Sequence, residues 1–253
     1  MGKHHKKHNR VPDMDAEEII RTCQLLEQSE ITKCDLLFSG SNYVFLTTLG
    51  VNGTQTQAIY KPRKGEAPLW DFPDGTLYKR EYAAFLVSQA MGWDLIPPTV
   101  IRDGPYGIGS VQWLVETHGQ TGRPTKVTTD IHTLKKVAVF DFITNNADRK
   151  AGHFLEARDG RLWLVDHGLT FNSVPKLRTV LWDFSGQKVP GKIMKDIRTL
   201  QARLREGKGL REALARLIDA DEMDAFEYRI EQLIRKPVFT YPVSRRSVPW
   251  PWI

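Results

Sequence analysis

Apolar residues recur at helical spacing from Asp15 to about Gln28, where AEEIIRTCQLLEQ sets Ile19, Ile20, Cys23 and Leu26 on one face and predicts an amphipathic helix. The period then changes to two. CDLLFSG, NYVFLTTL and TQTQAIYK read as strands, separated by turns at Gly40, Gly50 and Gly53. The segment TLYKREYAAFLVSQAM returns to helical spacing and stops near Gly92, ahead of Pro97 and Pro98. Two more strands are expected, at Thr99 to Arg102 and at Gly109 to Glu116. Beyond a connector at 118–127 the pattern is helical from Asp130 to about Thr144, then shows two short strands, then is mainly helical from about 192 to 235.

This order predicts an α+β protein, with a small β-rich part bearing one helix ahead of a larger, mainly helical part. The expected divisions are a disordered basic tail at 1–12, an N-terminal lobe at 13–117 and a C-terminal lobe at 118–236. An extended Pro- and aromatic-rich tail at 237–253 completes the chain. A hinge is expected near Glu116 to Gly122, and a cleft between lobes is where a ligand is expected. Trp250 and Trp252 are expected to pack on the chain's own surface.

Composition narrows the class without choosing a function. Hydrophobic residues make up 41% and charged residues 26%, which fits a globular domain of ordinary make-up. No apolar run approaches the roughly 20 residues of a membrane span, and the N-terminus has no signal-peptide core, so a cytoplasmic location is expected. Net charge is +6, but Lys3, Lys6, Lys7 and Arg10 supply four of those charges, so the excess describes a tail and no nucleic-acid partner is expected. His4, His5 and His8 belong to the same solvated tail. Cys23 and Cys34 make neither a disulfide framework nor a metal finger and are expected as half-buried thiols.

Two neighbouring segments, NNADRKAGHFL and RLWLVDHGLTF, carry the candidate chemistry. They place Asp148 and Asp166 eighteen positions apart, each in a polar loop beside an apolar element. Phosphoryl transfer from ATP uses two such carboxylates, one for the acceptor hydroxyl and one for the metal that bridges the phosphates. Asp166 ends the alternation RLWLVD and precedes a Gly turn, a setting suited to Mg²⁺ and its preference for oxygen ligands. Asp148 is followed by Arg149 and Lys150. Where a kinase has a metal-binding Asn five positions after its catalytic Asp, this chain has His153. Imidazole suits softer ions than Mg²⁺. Either Asn145 or Asn146 supplies the missing oxygen, or one metal suffices, or Mn²⁺ is used, or catalysis is impaired.

Two further residues join these. Alternation puts Gln57, Ile59 and Lys61 on one strand face, and Glu81 falls within the apolar stripe of the following helix, four after Leu77 and three and four before Ala84 and Phe85. An inward acid needs a cation, and Lys61 is the candidate; such a pair places a lysine on nucleotide phosphates. The turn Ser39, Gly40, Ser41, Asn42 offers backbone N–H groups to phosphate oxygens.

Taken in order, GSNYVFL, AIYKP, KREYAAFLVSQAMGWDLIPPTV, VQWLVE, NNADRKAGH and VDHGLTF resemble the phosphatidylinositol 3- and 4-kinase-like superfamily across roughly residues 35 to 185. The likeness is to the type II phosphatidylinositol 4-kinases and the HipA-like serine/threonine kinases, and to an uncharacterised group of small actinobacterial proteins with this domain. It implies a bilobal protein-kinase-like fold that binds ATP with Mg²⁺ or Mn²⁺. Ser41 and Asn42 would lie over the phosphates and Lys61 would contact them, paired with Glu81. The backbone of Trp113, Leu114, Val115 and Glu116 would meet adenine. Asp148 would be the catalytic aspartate with Lys150 near the transferred phosphate, and Asp166 would bind metal, with His153 standing at the second metal position.

The expected activity is transfer of the ATP γ-phosphate to a hydroxyl of a protein or small molecule. The alternatives are a nucleotide-binding module without catalysis, which His153 motivates, and a phosphoinositide kinase at a membrane surface. The lipid reading is not favoured, because neither cysteine lies in a cysteine-rich tethering segment. Nucleotidyl transfer to a protein is compatible with the same motifs.

Overall fold

A computed structural model describes residues 15–37, 40–51, 54–117 and 130–251. The basic tail with His4, His5 and His8, Ser39, the connector at 118–127 and Trp252 lie outside the described residues. Helix α1, Ala16–Gln28, starts where the Asp15 carboxylate accepts the Glu18 N–H at 2.7 Å, satisfying one of the free donors of the first turn. Ile19 and Leu26 are buried and Cys23 is half-buried, but Ile20 is 55% exposed. The apolar stripe is therefore narrower than the four-residue face expected, because the step of about 100° per residue turns Ile20 away from the core.

Strands β1 (Glu30–Leu37), β2 (Val44–Val51) and β3 (Thr54–Pro62) form an antiparallel meander. Helix α2, Leu77–Ala90, intervenes before the hairpin of β4 (Thr99–Gly104) and β5 (Gly107–Trp113), and β5 returns to pair with β3. The sheet order is β1-β2-β3-β5-β4. Cross-strand partners fix its two faces: Phe45 opposes Tyr60 and Tyr60 opposes Val111, while Leu46 opposes Ile59 and Ile59 opposes Gln112. The first set packs with Leu26 of α1. The second shares its face with Lys61.

One glycine is required by the close approach of β3 and β5. A Cβ on Gly109 would press on the Lys61 carbonyl oxygen and sit 2.7 Å from the Pro62 Cα. Gly109→Ala is expected to force the strands apart at the register of Lys61 and to lower unfolding free energy by about 1–3 kcal/mol. A denaturant titration with an unchanged midpoint would rule this out.

The second part holds α3 (Ile131–Ile143), the hairpin of β6 (Phe154–Glu156) and β7 (Leu162–Leu164), α4 (Gly191–Arg205), α5 (Leu210–Ala215) and α6 (Ala220–Arg235). Its core joins residues of α2, α3, α4 and α6, so α2, although it lies between β3 and β4 in the chain, packs into the core of the second part. No helix among the described residues is long and apolar enough to cross a membrane.

The C-terminal segment, expected as an extended tail, is joined to the second part by backbone bonds. Val189 and Gly186 donate backbone N–H groups to Pro237 and Phe239, and Ser247 accepts from the Thr179 N–H and the Trp182 indole. Trp250 does not pack on the surface as expected: it is 85% exposed, because the segment's backbone is held at Ser247 and earlier.

Candidate active site

Lys61 leaves the end of β3 on the face opposite α1, and its ammonium meets two carboxylates. The Nζ is 2.5 Å from Glu81 Oε1 and 3.1 Å from Asp166 Oδ1. The expected Lys61–Glu81 pair is thus formed, and Asp166 joins it from 105 positions downstream. Burial acts to depress the Lys61 pKa, but Asp166 and Glu81 more than offset it, so the ammonium is held above its ordinary value. The same cation holds the Asp166 carboxyl well below the usual carboxylate range.

The second oxygen of Glu81 accepts the backbone N–H of His167 at 2.9 Å, which ties α2 to the turn after Asp166. Asp166 itself has φ of 62°, in the left-handed region that a residue with a short polar side chain tolerates best. Glu66, just beyond β3, accepts the N–H groups of Leu77 and Tyr78 at 3.0 and 2.8 Å and so caps α2 at the N-terminal end of its dipole.

Asp148 is 2.9 Å from the Lys150 ammonium, and its backbone N–H donates to Asn146 Oδ1 at 3.0 Å. Burial raises its carboxyl above the ordinary value, Lys150 opposes that, and the charge of Asp166 raises it further. A backbone bond from the Ala147 N–H to the Leu169 carbonyl, 2.9 Å, joins the Asp148 and Asp166 loops directly.

His153 turns its Nε2 toward Asp166 Oδ2 at 3.4 Å, and its Nδ1 is 3.5 Å from the Lys150 N–H. Burial pushes its pKa down to about 4, so the ring is neutral near pH 7. The side-chain oxygens of Asn145 and Asn146 are committed to the Lys176 and Asp148 N–H groups, and both residues are buried. That disfavours either as the source of the missing metal oxygen. Among the described residues no group of three or more His, Cys, Asp or Glu side chains could hold a metal by protein ligands alone. Asp166, half-exposed beside His153, fits an ion that keeps water and takes most of its oxygens from phosphate, as Mg²⁺ does.

The turn at Ser41 and Asn42 is braced from below. Asn42 Oδ1 accepts the Ala67 N–H at 2.7 Å and the Tyr43 N–H donates to Gly65, while Ser41 is exposed. Trp113, Leu114, Val115 and Glu116 line an open groove of about 640 Å³ with Thr48 and Gln57. Lys61, Glu81 and Asp166 do not line it. Gln57 and Lys61 lie on one face of β3, about 13 Å apart at roughly 3.3 Å per residue. The N–H groups of Trp113 and Leu114 are already used, donating to Pro98 and Gln57, whereas the backbone of Val115 makes no hydrogen bond within the chain among the described residues.

A buried network behind the site escapes the sequence reading. Arg149, fully buried, donates from Nε to Asp141 Oδ1 at 3.1 Å and from one amino nitrogen to the Val165 carbonyl at 3.0 Å. Its other amino nitrogen lies 2.7 Å from His167 Nε2. Since a guanidinium only donates, that nitrogen must accept. The residues following each loop aspartate therefore bind each other. Asp141 carries the signal that could have found this network, an acid within the apolar run VAVFDFI.

No family model matches the chain. It is 39% identical over 264 residues to protein Rv2133c of Mycobacterium tuberculosis, covering 90% of this chain and 94% of that one. The chain belongs to the Rv2133c family. Among solved structures, the fold of this Rv2133c-family chain is similar to that of the Golgi casein kinase, with a TM-score of 0.54 and 16% identity over 87% of this chain and 74% of that one. The same kinase with Mn/ADP bound gives a TM-score of 0.55 at 15% identity, covering 87% and 75%. Hydra Fam20 with sugar gives 0.51 at 14%, covering 88% and 90%. At these identities the likeness is one of fold: an α+β, protein-kinase-like architecture with an N-terminal antiparallel sheet and a helical C-terminal part.

Proposed function

We propose that this protein is an ATP-dependent phosphotransferase that moves the γ-phosphate to a hydroxyl of a protein or small molecule. The observation that carries the reading is the convergence of Lys61, Glu81 and Asp166, from a strand, a helix and a loop, on one charged cluster beside Asp148. Lobes at 13–117 and 118–236 would enclose the nucleotide. The ordered motifs support placing the chain on the phosphatidylinositol 3-/4-kinase-like and HipA-like side of the kinase fold.

In this reading the adenine edge meets the free backbone groups of Val115, within the segment Trp113 to Glu116. The exposed turn at Ser41, braced through Asn42, covers the phosphates. Lys61 neutralises phosphate charge, and Glu81 holds it in place. Asp166, with His153 beside it, would hold Mg²⁺ or Mn²⁺, which supplies charge neutralisation at the phosphate oxygens. A distant structural neighbour was solved with Mn/ADP. Asp148 orients the acceptor hydroxyl and takes its proton, and its raised pKa makes it a better base than a free aspartate. Lys150 exchanges its bond to Asp148 for the transferred phosphate, so most of the catalysis is positioning and electrostatics.

The test is incubation of purified protein with labelled ATP and Mg²⁺ or Mn²⁺, against protein, small-molecule and phosphoinositide acceptors. Label transfer or hydrolysis above an Asp148→Ala control is expected; none above that control would count against the reading. His153 beside Asp166 favours one second reading, a binding module without turnover. Nucleotide-dependent thermal stabilisation with no transfer would select it.

A further inference from the structure

Helix α2 carries two adjacent charged residues that point to different places. Glu81 reaches Lys61 and the His167 N–H. Arg80, 1% exposed, reaches the other way, with one amino nitrogen 2.6 Å from Glu222 Oε1 at the start of α6 and the other 2.7 Å from the Thr170 carbonyl. Its Nε lies 3.4 Å from Thr76 Oγ1, and its guanidinium stacks 4.9 Å over the Phe72 ring. Glu222 is fixed in turn, because its second oxygen accepts the Asp219 N–H in the capping box of α6.

The segment between these anchors is short and tied down. Thr170 donates its hydroxyl to the His167 carbonyl at 2.7 Å, the Phe171 N–H donates to Thr144, and the Phe171 ring meets Phe226 of α6 edge-on at 5.3 Å. A charged pair in a core is not in itself a source of stability, since an apolar pair of similar volume often does as well or better. What an apolar pair cannot supply is direction: it has no hydrogen bond to the Thr170 carbonyl and no fixed partner on α6.

We propose that Arg80 is a positioning residue, a buried clamp through Glu222 and the Thr170 carbonyl that holds α2 in the one placement where Glu81 engages both Lys61 and the His167 N–H. The site is then assembled in the resting protein, with no activating modification or partner needed to bring α2 in. The role given to that site rests on the phosphotransferase reading; the placement of α2 does not, and the experiment separates the two.

The double variant Arg80→Met/Glu222→Leu removes the clamp and keeps an apolar core, so melting temperature should stay near that of the parent. Amide hydrogen exchange is then read at His167, whose N–H has Glu81 as acceptor, and along α2, with α4 as the internal reference. The clamp predicts exchange at His167 and in α2 faster by roughly tenfold or more, with α4 unchanged. Equal protection at His167 in a folded double variant would overturn it, as would a uniform rise that includes α4. Should that variant fail to fold, Arg80→Gln, whose shorter side chain with one amide nitrogen cannot span Glu222 and the Thr170 carbonyl, decides by the same readout, with faster exchange at His167 supporting the clamp and unchanged exchange refuting it. A Mn²⁺–ADP titration of the parent protein runs alongside. Local loosening in the variant with no nucleotide binding by the parent would uphold the clamp and remove the phosphotransferase reading.

Discussion

Asp148→Asn is expected to slow phosphoryl transfer by about 10²–10⁴-fold, the range that a positioned general base supplies. Nucleotide affinity should stay within about twofold of the parent, because the lost group acts on the acceptor and not on the nucleotide. Asparagine keeps the shape of the side chain and an oxygen for Lys150, and the loop is held independently through Asn146, Arg149 and the Ala147 N–H. The carboxylate's basicity is what disappears. Single-turnover rates set beside calorimetric titrations with ADP check this split; loss of affinity in proportion to rate would move Asp148 from the acceptor to the nucleotide.

Asp166→Asn is expected to lower nucleotide binding as well as rate. Its carboxylate is the one that Lys61 stabilises in the ionised form, and it stands half-exposed at the mouth of the cluster. Removing its charge should eliminate the metal-dependent part of nucleotide binding, and transfer should fall by roughly 10²–10³-fold or more, as when one preorganised electrostatic group is lost. Lys61 retains Glu81 in this variant, so metal-free nucleotide binding should persist. Titrations with and without a chelator separate the two contributions. If the chelator weakens binding to the parent and to Asp166→Asn by the same factor, Asp166 is not the residue that holds the metal.

Much of the fold and the charged cluster is legible in the sequence because each relies on local pattern. Alternation along TQTQAIYK fixes the face of Lys61, and Glu81 is conspicuous as an acid on an apolar stripe. Their pairing follows from the cost of burying either charge alone. Arg80 is hidden for a physical reason. It shares the stripe of Glu81, three after Leu77 and four before Ala84, but its partner Glu222 lies 142 positions away and no local pattern pairs the two. Asp141 carries the same signal as Glu81, but its partner Arg149 lies among loop charges that look exposed, and only the tertiary arrangement buries it.

The C-terminal segment is illegible in another way. Its anchors are backbone groups at Pro237, Phe239 and Ser247 and the buried Phe239 ring beside Phe184, and a Pro- and aromatic-rich pattern does not distinguish that buried ring from the exposed Trp250. The turn at Ser41 suggests a phosphate cradle by its position alone. Its bracing by Asn42 and Ala67 is a long-range bond that the sequence does not announce.

Lys61, Asp148 and Asp166 are expected to face one nucleotide in a single crevice. A crystal structure with Mn²⁺ and a non-hydrolysable ATP analogue tests it most directly. Metal density is expected against Asp166, with the Lys61 ammonium on phosphate oxygens while still bound to Glu81, and Asp148 facing the γ-phosphate across an open acceptor position. Nucleotide density elsewhere, with the Lys61–Asp166 pair closed and no room between it and Asp148, would contradict it.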